Sequence, residues 1–353
     1  MTLFPYWLLF AAWTASALQS ARRNSTIAPV FTGMLCLTAA FIGLRFEVGG
    51  DWLNYLFMKD QIYFQPITAA LKITDPAYAL LNWVAGRLNI GIWLPNLVCG
   101  AIFTAGLGRL AAIQPNPPLA ILVSVPYFII VVAMGYTRQA AAIGVICFAL
   151  ASASEQRVLR IIVLVAVATL FHKSAVVMLP IFLLPIFRRN VWFGVAGSIF
   201  FFVLFSAFLS NSSEQLINNY VRAGLESQGA AVRITMNVVA ALLFISFRRR
   251  FTFTPFMDTY WLANAILAIM SLVGLVITAS STAVDRLSLF IIPLQVVVFS
   301  QLPYALSRTG RPLPSVMLGV IGYSLAVQFV WLNFADNRTY WLPYSTVLAP
   351  SDL

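Results

Sequence analysis

The feature that most constrains this chain is a succession of apolar runs, most of them about as long as a lipid bilayer is thick. Of its 353 residues, 61% are hydrophobic and only 9% are charged, whereas roughly a quarter are charged in ordinary soluble domains. A run of about 20 apolar residues can cross the hydrocarbon core as a helix. The runs do not alternate polar and apolar residues as barrel strands would. We therefore expect one all-α, polytopic membrane domain over residues 1–353.

The runs predict about twelve transmembrane helices, and the first run is expected to be retained because it lacks a basic leader and a cleavage site. The predicted spans are Thr2–Leu18, Ile27–Leu44, Ile92–Ala112, Pro118–Met134, Ala140–Ala153, Val158–Phe171, Ser174–Phe187, Val191–Leu209, Ala230–Phe247, Thr259–Ala279, Leu287–Ala305 and Leu313–Phe334. Pro76–Leu88 is apolar but too short to span. It is expected to be an interfacial or re-entrant helix among the interfacial helices of Arg45–Leu88, within an outer segment at residues 45–90. Residues 210–229 are expected to form an outer loop, and Trp341 in the tail an interfacial anchor.

Basic residues gather at every second boundary between these spans. One side carries twelve arginines and two acidic residues, whereas the other carries ten basic and nine acidic residues. Connections rich in Lys and Arg stay in the cytoplasm, which predicts that both termini lie outside. Topology thus explains the net charge of +11, and no nucleic-acid partner is expected.

Several kinds of site are excluded by their residue types. The three cysteines fall inside apolar runs, and His172 is the single histidine, which argues against a disulfide framework or a multi-histidine metal site. The chain has no Asp-x-Asp pair, Walker loop, G-x-G-x-x-G motif or nucleophile elbow. No metal and no cofactor are expected.

Several of the outer connections are too short to be free loops, and the predicted topology collects the unusual polar residues at this outer face. They are Arg45, Asp51, Tyr55, Tyr136, Arg138, Gln139, His172, Lys173, Arg233, Asp285 and Arg286. Ionisable groups at such depth are costly and mark either function or a paired structural contact. For Asp285 and Arg286 a salt bridge and a ligand contact are both open. Arg138 as a snorkelling anchor and His172 as a packing histidine also remain open.

Arginine forks bind phosphate groups bidentately and keep their charge. Several cations at a membrane face therefore suit a lipid-linked phosphate or diphosphate. Asp51 or His172 would then deprotonate an attacking hydroxyl, and the sequence leaves that choice open. Gly49-Gly50 allows a turn or a close approach of the backbone, and the small residues at 140–144 allow close helix contact or a groove.

Five short motifs occur along the chain in an order that resembles a known family. They are Arg45…Val48-Gly49-Gly50-Asp51…Tyr55, Tyr136-x-Arg138-Gln139, His172-Lys173-Ser174-Ala175, Asp285-Arg286-Leu287 and Trp341-x-Pro343-Tyr344. From about Leu44 to Tyr344 the chain resembles the EpsG/Wzy-type polysaccharide polymerases. Gly50 stands where the family pattern is of the Gly-Thr-Asp type.

The resemblance implies a multi-pass enzyme of the bacterial cytoplasmic (inner) membrane, with a fold loosely related to the GT-C transferases. Such glycosyltransferases join undecaprenyl-diphosphate-linked oligosaccharide repeats of O-antigen, capsule or exopolysaccharide at the outer, periplasmic face. The implied partners are the lipid-linked donor and acceptor, membrane lipid, and chain-length regulator and flippase proteins. Under this reading the catalytic residues are Asp51, His172 and Arg138. The substrate-binding residues are Arg45, Tyr55, Tyr136, Gln139, Lys173, Arg233, Asp285 and Arg286.

Two other functions are compatible with the same residues. An O-antigen ligase-like glycosyltransferase would transfer the finished chain to another lipid, but it would usually carry a larger late outer loop than residues 210–229. A lipid-linked oligosaccharide flippase or transporter would be expected to show an internal repeat and helices broken at mid-membrane, and the sequence shows no repeat. An acyltransferase has only His172 in its favour.

Overall fold

The computed structural model describes residues 3–153, 157–187, 229–277 and 281–348, together with isolated positions between 192 and 203. The described chain is built from helices, and its only ladder contact is an isolated bridge between Arg45 and Thr346. The predicted span Val191–Leu209 and nearly all of the predicted loop at residues 210–229 lie outside the described residues.

The first half of the chain forms ten helices in the described ranges. They are α1 (Phe4–Arg23), α2 (Ala28–Gly43), α3 (Trp52–Tyr63), α4 (Ile67–Ala70), α5 (Pro76–Arg87), α6 (Trp93–Ala112), α7 (Pro117–Ser124), α8 (Thr137–Ala153), α9 (Val158–Phe171) and α10 (Met178–Phe187). A π-helical segment, Val125–Ala133, continues α7, and a 3₁₀ turn, Lys173–Val177, precedes α10. Proline lies in the first turn of several helices, where its missing N–H costs nothing.

The second half adds α11 (Ala230–Phe247), α12 (Pro255–Ile277), α13 (Ser281–Ser288), α14 (Pro293–Ala305) and α15 (Pro314–Phe334). A 3₁₀ turn at Leu289–Ile291 joins α13 to α14, and the axis bends there by 43°. The bend falls at Pro293, which lacks the N–H that would continue the helix. The predicted span Leu287–Ala305 is therefore broken rather than straight.

Tight helix contacts lie at the centre of the bundle, where α7, the π segment and α8 are almost entirely buried. A Cβ on Gly106 of α6 would stand 1.9 Å from the carbonyl oxygen of Gly144 in α8, so these two helices cross at backbone contact. The prediction that small residues after Arg138 allow close helix contact is confirmed. This crossing fixes where the first turn of α8 emerges.

The length and apolar composition of several described helices support an integral membrane protein. Four helices are long and apolar enough to cross a bilayer, namely α6, α11 with its 3₁₀ extension, α12 and α15, and the bent α13–α14 pair makes five. Other apolar helices, including α2, α8 and α9, are 10 to 17 residues long. Helix α5 is a separate twelve-residue helix. The total of twelve spans, the GT-C relationship and the membrane orientation remain predictions.

Candidate active site

Polar side chains from helix starts and junctions meet at one end of the bundle. The residues involved begin α3, α5, α8 and α11, follow α9, or lie in α13. The tail also closes over this end, since the N–H groups of Phe46 and Gly49 donate to the carbonyls of Ser345 and Tyr340. The structure therefore brings together residues separated by more than two hundred positions in the sequence.

Arg138 is held by the segment between α4 and α5. One guanidinium nitrogen, Nη1, donates to Thr74 Oγ1 and to Asp75 Oδ2, both at 2.7 Å. The guanidinium also stands 6.0 Å from the ring centroid of Tyr55. Its Nε is buried and has no hydrogen-bond partner among the described residues. Arg138 is thus anchored on one side while a buried donor is left unsatisfied.

Asp75 is a site residue that the sequence reasoning missed. Its side chain is 6% exposed, and its second oxygen accepts the backbone N–H of Lys173 at 3.1 Å. An aspartate just before a proline at a helix start is normally read as a cap. Here, however, the side chain makes no capping bond to α5. Asp75 instead connects α8 to the junction after α9.

His172 lies in that junction as a neutral hydrogen-bonded ring. Its Nδ1 accepts the backbone N–H of Ser174 at 3.3 Å and lies 2.8 Å from the Ser174 hydroxyl. Because a backbone N–H can only donate, the proton of the neutral imidazole is on Nε2. Burial holds the pKa of His172 well below its usual range, and the charges of Arg138, Arg286 and Lys173 act in the same direction. Nε2–H is therefore a donor at neutral pH.

Arg286 joins the first turn of α8 to the start of α3. Its guanidinium lies 4.1 Å from the ring centroid of Tyr136 and 3.7 Å from Asp51 Oδ2. That separation is longer than a hydrogen bond. Gln139 Nε2 donates to the Arg286 backbone carbonyl at 2.6 Å, which fixes the position of α13 against α8. The Arg286 and Asp51 side chains are 27% and 23% exposed, so this pair is within reach of solvent.

Arg233 and Asp285 form a bidentate ion pair between α11 and α13. Nε donates to Oδ1 at 2.7 Å and Nη2 to Oδ2 at 2.5 Å. Asn237, one turn further along α11, donates to the Ser288 carbonyl and accepts a hydrogen bond from Gln295. The salt-bridge alternative left open for Asp285 is thus the contact that the structure contains, although with Arg233 rather than the adjacent Arg286.

Tyr55 lies between these groups and couples them electrostatically. It is 2% exposed, and its ring packs 5.4 Å from that of Tyr78. Burial and then Asp51 raise the pKa of Tyr55 above its usual range, while Arg138 and Arg286 act in the opposite direction. The phenol therefore remains protonated at neutral pH and can donate to a ligand.

Arg45 has a different environment from the other arginines. It is 1% exposed, and its three guanidinium nitrogens donate to the carbonyls of Val48 and Ile42 and to the hydroxyl of Thr137, at 3.0, 2.6 and 2.7 Å. These bonds connect the end of α2 to the first residue of α8. They argue against the predicted contact between Arg45 and a diphosphate, and assign it a structural role.

Trp341 corrects a second expectation. It is 2% exposed and its indole N–H donates to the Ile130 carbonyl at 2.8 Å, so it is a core residue rather than an interfacial anchor. Its ring fills the space above Gly135, where an added Cβ would meet it at 2.5 Å.

Gly49 makes the predicted turn at φ +116°, and a Cβ there would stand 2.3 Å from the Met134 carbonyl oxygen. The close approach that these glycines permit is to the protein itself.

The described residues contain no group of three or more His, Cys, Asp or Glu side chains that could hold a metal ion. Arg138, Arg233 and Arg286 each lie beside an aspartate, with Lys173, the His172 Nε2–H and the Tyr55 hydroxyl in the same region. This arrangement can bind an anion through guanidinium donors and offers a carboxylate, Asp51, within reach of solvent.

Comparison with known proteins places most of the chain in one family. The model described as the EpsG family matches residues 30–346. That range contains all five motifs identified in the sequence. No curated protein and no solved structure matches the chain.

Proposed function

The chain belongs to the EpsG family, and from that premise we propose that it joins undecaprenyl-diphosphate-linked oligosaccharide repeats at the outer face of the cytoplasmic membrane. Family membership supports a polysaccharide polymerase-type role, and the apolar helices fit a multi-pass membrane protein. The lipid carrier, the glycosyl transfer and the membrane face are the parts that we add.

The observation that carries the proposal is the convergence of Arg138, Arg233 and Arg286 at one end of the bundle. A diphosphate leaving group needs fixed cations where its charge develops, and guanidinium forks supply them without a metal ion. A lipid-linked diphosphate also lies at the membrane interface, where helix ends are found. An enzyme that uses a water-soluble nucleotide-sugar donor would not require these arginines to lie at the ends of membrane helices.

The reaction we propose is a single glycosyl transfer. A hydroxyl of the acceptor repeat attacks the anomeric carbon of the growing chain, a new C–O bond forms, and the bond to the donor diphosphate breaks. The hydroxyl proton passes to Asp51, and undecaprenyl diphosphate leaves with its charge stabilised by Arg286 and Arg138. His172 is assigned to donate from Nε2 to a substrate oxygen, because its Nδ1 is already occupied. Much of the rate would come from holding two lipid-linked substrates together.

Polymer length in a strain lacking the native protein tests this assignment. The strain is complemented at matched expression with wild type, Asp51→Asn, Arg286→Gln or His172→Gln. Asp60→Asn and Arg87→Gln serve as controls, since they change exposed charges on neighbouring helices. We expect Asp51→Asn and Arg286→Gln to accumulate single repeats on lipid, and the controls to keep the full ladder. His172→Gln is expected to shorten the ladder without abolishing it.

Two results would overturn the proposal. An unchanged ladder in all three site variants would make the cluster structural. Long chains that persist on undecaprenyl diphosphate in the deletion strain would replace polymerisation with ligase-like transfer.

A further inference from the structure

A cavity of about 440 Å³ opens beside the arginine cluster. Its walls come from α11, α15 and the π segment, with Tyr127 and Val131 on one side and Met236 on another. The volume falls within the roughly 300–1,000 Å³ of typical small-molecule sites. We call it the lateral groove.

The lateral groove is apolar along α15 and open toward the surface of the bundle. Val327, Val330 and Phe334 line it, and Val330 and Phe334 are 51% and 67% exposed. Val232 of α11 faces it from the opposite side and is 61% exposed. Such side chains on helices long enough to span a bilayer would contact hydrocarbon. The groove is therefore suited to an apolar chain that enters sideways.

The upper end of the groove is polar and continuous with the candidate active site. Arg233, Tyr136 and the exposed Asp336 line this end. Tyr136 also carries the guanidinium of Arg286 on its ring at 4.1 Å, and Arg233 is paired with Asp285. A molecule whose tail lay against α15 would thus place its head at these two arginines.

We propose that the lateral groove holds the isoprenoid chain next to the diphosphate of a lipid-linked substrate. The proposal rests on the proposed function, because it places the head group at Arg233 and Arg286 of the same arginine cluster. An isoprenoid diphosphate carries one chain and a dianionic or trianionic head, which matches one apolar channel that ends at guanidinium groups. A two-chain phospholipid would leave one chain outside the groove.

The groove is expected to align the substrate more than to attract it. A lipid chain gains little hydrophobic free energy on leaving the bilayer for an equally apolar groove. What the groove supplies is orientation, since it directs the diphosphate to the cations before transfer. Blocking it should therefore reduce coupling moderately and only for substrates long enough to occupy it.

Ala326→Trp tests the groove because Ala326 lines it on α15. Ala326 lies eight residues before Phe334 and therefore about 12 Å deeper along the helix. Leu325→Trp is the matched control, because Leu325 is exposed on the same helix and does not line the groove. The full-length protein is reconstituted in nanodiscs with one oligosaccharide diphosphate carried on either undecaprenol or a single isoprene unit. The initial rate of the first coupling product gives kcat/KM for each substrate.

We expect Ala326→Trp to lower kcat/KM for the undecaprenyl substrate on the order of fivefold, which corresponds to about 1 kcal/mol of lost alignment. The single-isoprene substrate, which is too short to reach residue 326, should react as in wild type. Leu325→Trp should leave both values unchanged. Equal effects of the two tryptophan variants, or equal loss with both substrates, would overturn the groove assignment while leaving the polymerase intact. If wild type couples neither substrate, the proposed function itself fails.

Discussion

Replacement of Asp75 by asparagine is the most informative single change, because this residue positions Arg138 without being needed to touch substrate. The asparagine keeps the size of the side chain and one carbonyl oxygen. It removes the charge that faces Arg138 Nη1 at 2.7 Å, and only one oxygen remains to serve both Arg138 and the Lys173 N–H. The guanidinium would then keep Thr74 and the Tyr55 ring and would share a neutral acceptor with the Lys173 N–H in place of a carboxylate.

The expected loss follows from the hydrogen bond that changes. A hydrogen bond to a charged group contributes about 1.5–3 kcal/mol, and each 1.36 kcal/mol in transition-state stabilisation is about tenfold in rate. Asp75→Asn should therefore lower kcat/KM roughly tenfold to a hundredfold, measured as coupling of a lipid-linked repeat by purified protein and normalised to the folded fraction. Asp75→Glu keeps the charge but moves it by one methylene, so its activity should lie between that of wild type and that of Asp75→Asn.

Asp60→Asn is the matched control, since Asp60 pairs with Lys59 at 3.1 Å but is 70% exposed. An exposed pair contributes about 0–1 kcal/mol, so this variant should retain full activity. If folded Asp75→Asn couples repeats at the wild-type rate, Asp75 does not position a functional Arg138. If Asp60→Asn and Asp75→Asn lose activity equally, the effect is one of overall charge at this face.

Three further changes address the rest of the site. Gly135→Ala should lower the free energy of unfolding by about 1–3 kcal/mol through its clash with Trp341, which would be measured as a lower Tm in detergent. Gly322→Ala is the control, because Gly322 has open space around it, and it should be neutral or slightly stabilising. Arg45→Lys should lower the Tm by leaving buried carbonyls unpaired, about 1–3 kcal/mol, with little loss of activity per folded molecule. His172 has a lowered pKa when folded, so below about pH 6.5 the unfolded chain alone takes up the proton and stability falls. This loss of stability should disappear in His172→Gln, as followed by the change in Tm between pH 7.5 and 5.5.

The helices were largely predictable because their apolar runs are long and their ends are marked. Helix α11 begins and ends at the predicted residues, Ala230 and Phe247, and α9 and α6 agree to within a residue. These ends are marked by a glycine, by arginines or by a polar junction, which are local signals. The break before α14 was also encoded locally, in Pro293, but a proline inside an apolar run does not reveal whether the helix bends or continues.

The pairing of charges could not be predicted in the same way. Asp75 and Arg138 are 63 residues apart in the sequence. The contact between α6 and α8 at Gly106 and Gly144 fixes the position of α8 along its own axis. Arg138, in the first turn of α8, is thereby placed next to Asp75. The spacing of residues in the sequence contains no information on that axial position. The same limitation applies to Trp341, whose type is typical of a membrane interface although its ring is enclosed by the chain.

The three arginine–aspartate pairs differ in a way that bears on mechanism. An isolated guanidinium at a membrane face is costly, so a neighbouring carboxylate stabilises the empty site, yet that carboxylate competes with any diphosphate for the same donors. Arg138–Asp75 and Arg233–Asp285 are closed at 2.7 and 2.5 Å, whereas Arg286 and Asp51 stand 3.7 Å apart. Arg286 and Asp51 are therefore not joined by a hydrogen bond, and a diphosphate that drew Arg286 toward it would leave the Asp51 carboxylate to accept a proton. In the proposed reaction, donor binding and acceptor activation are thus two consequences of separating one ion pair, while Arg138 and Arg233 add fixed positive charge near the diphosphate without leaving their aspartates.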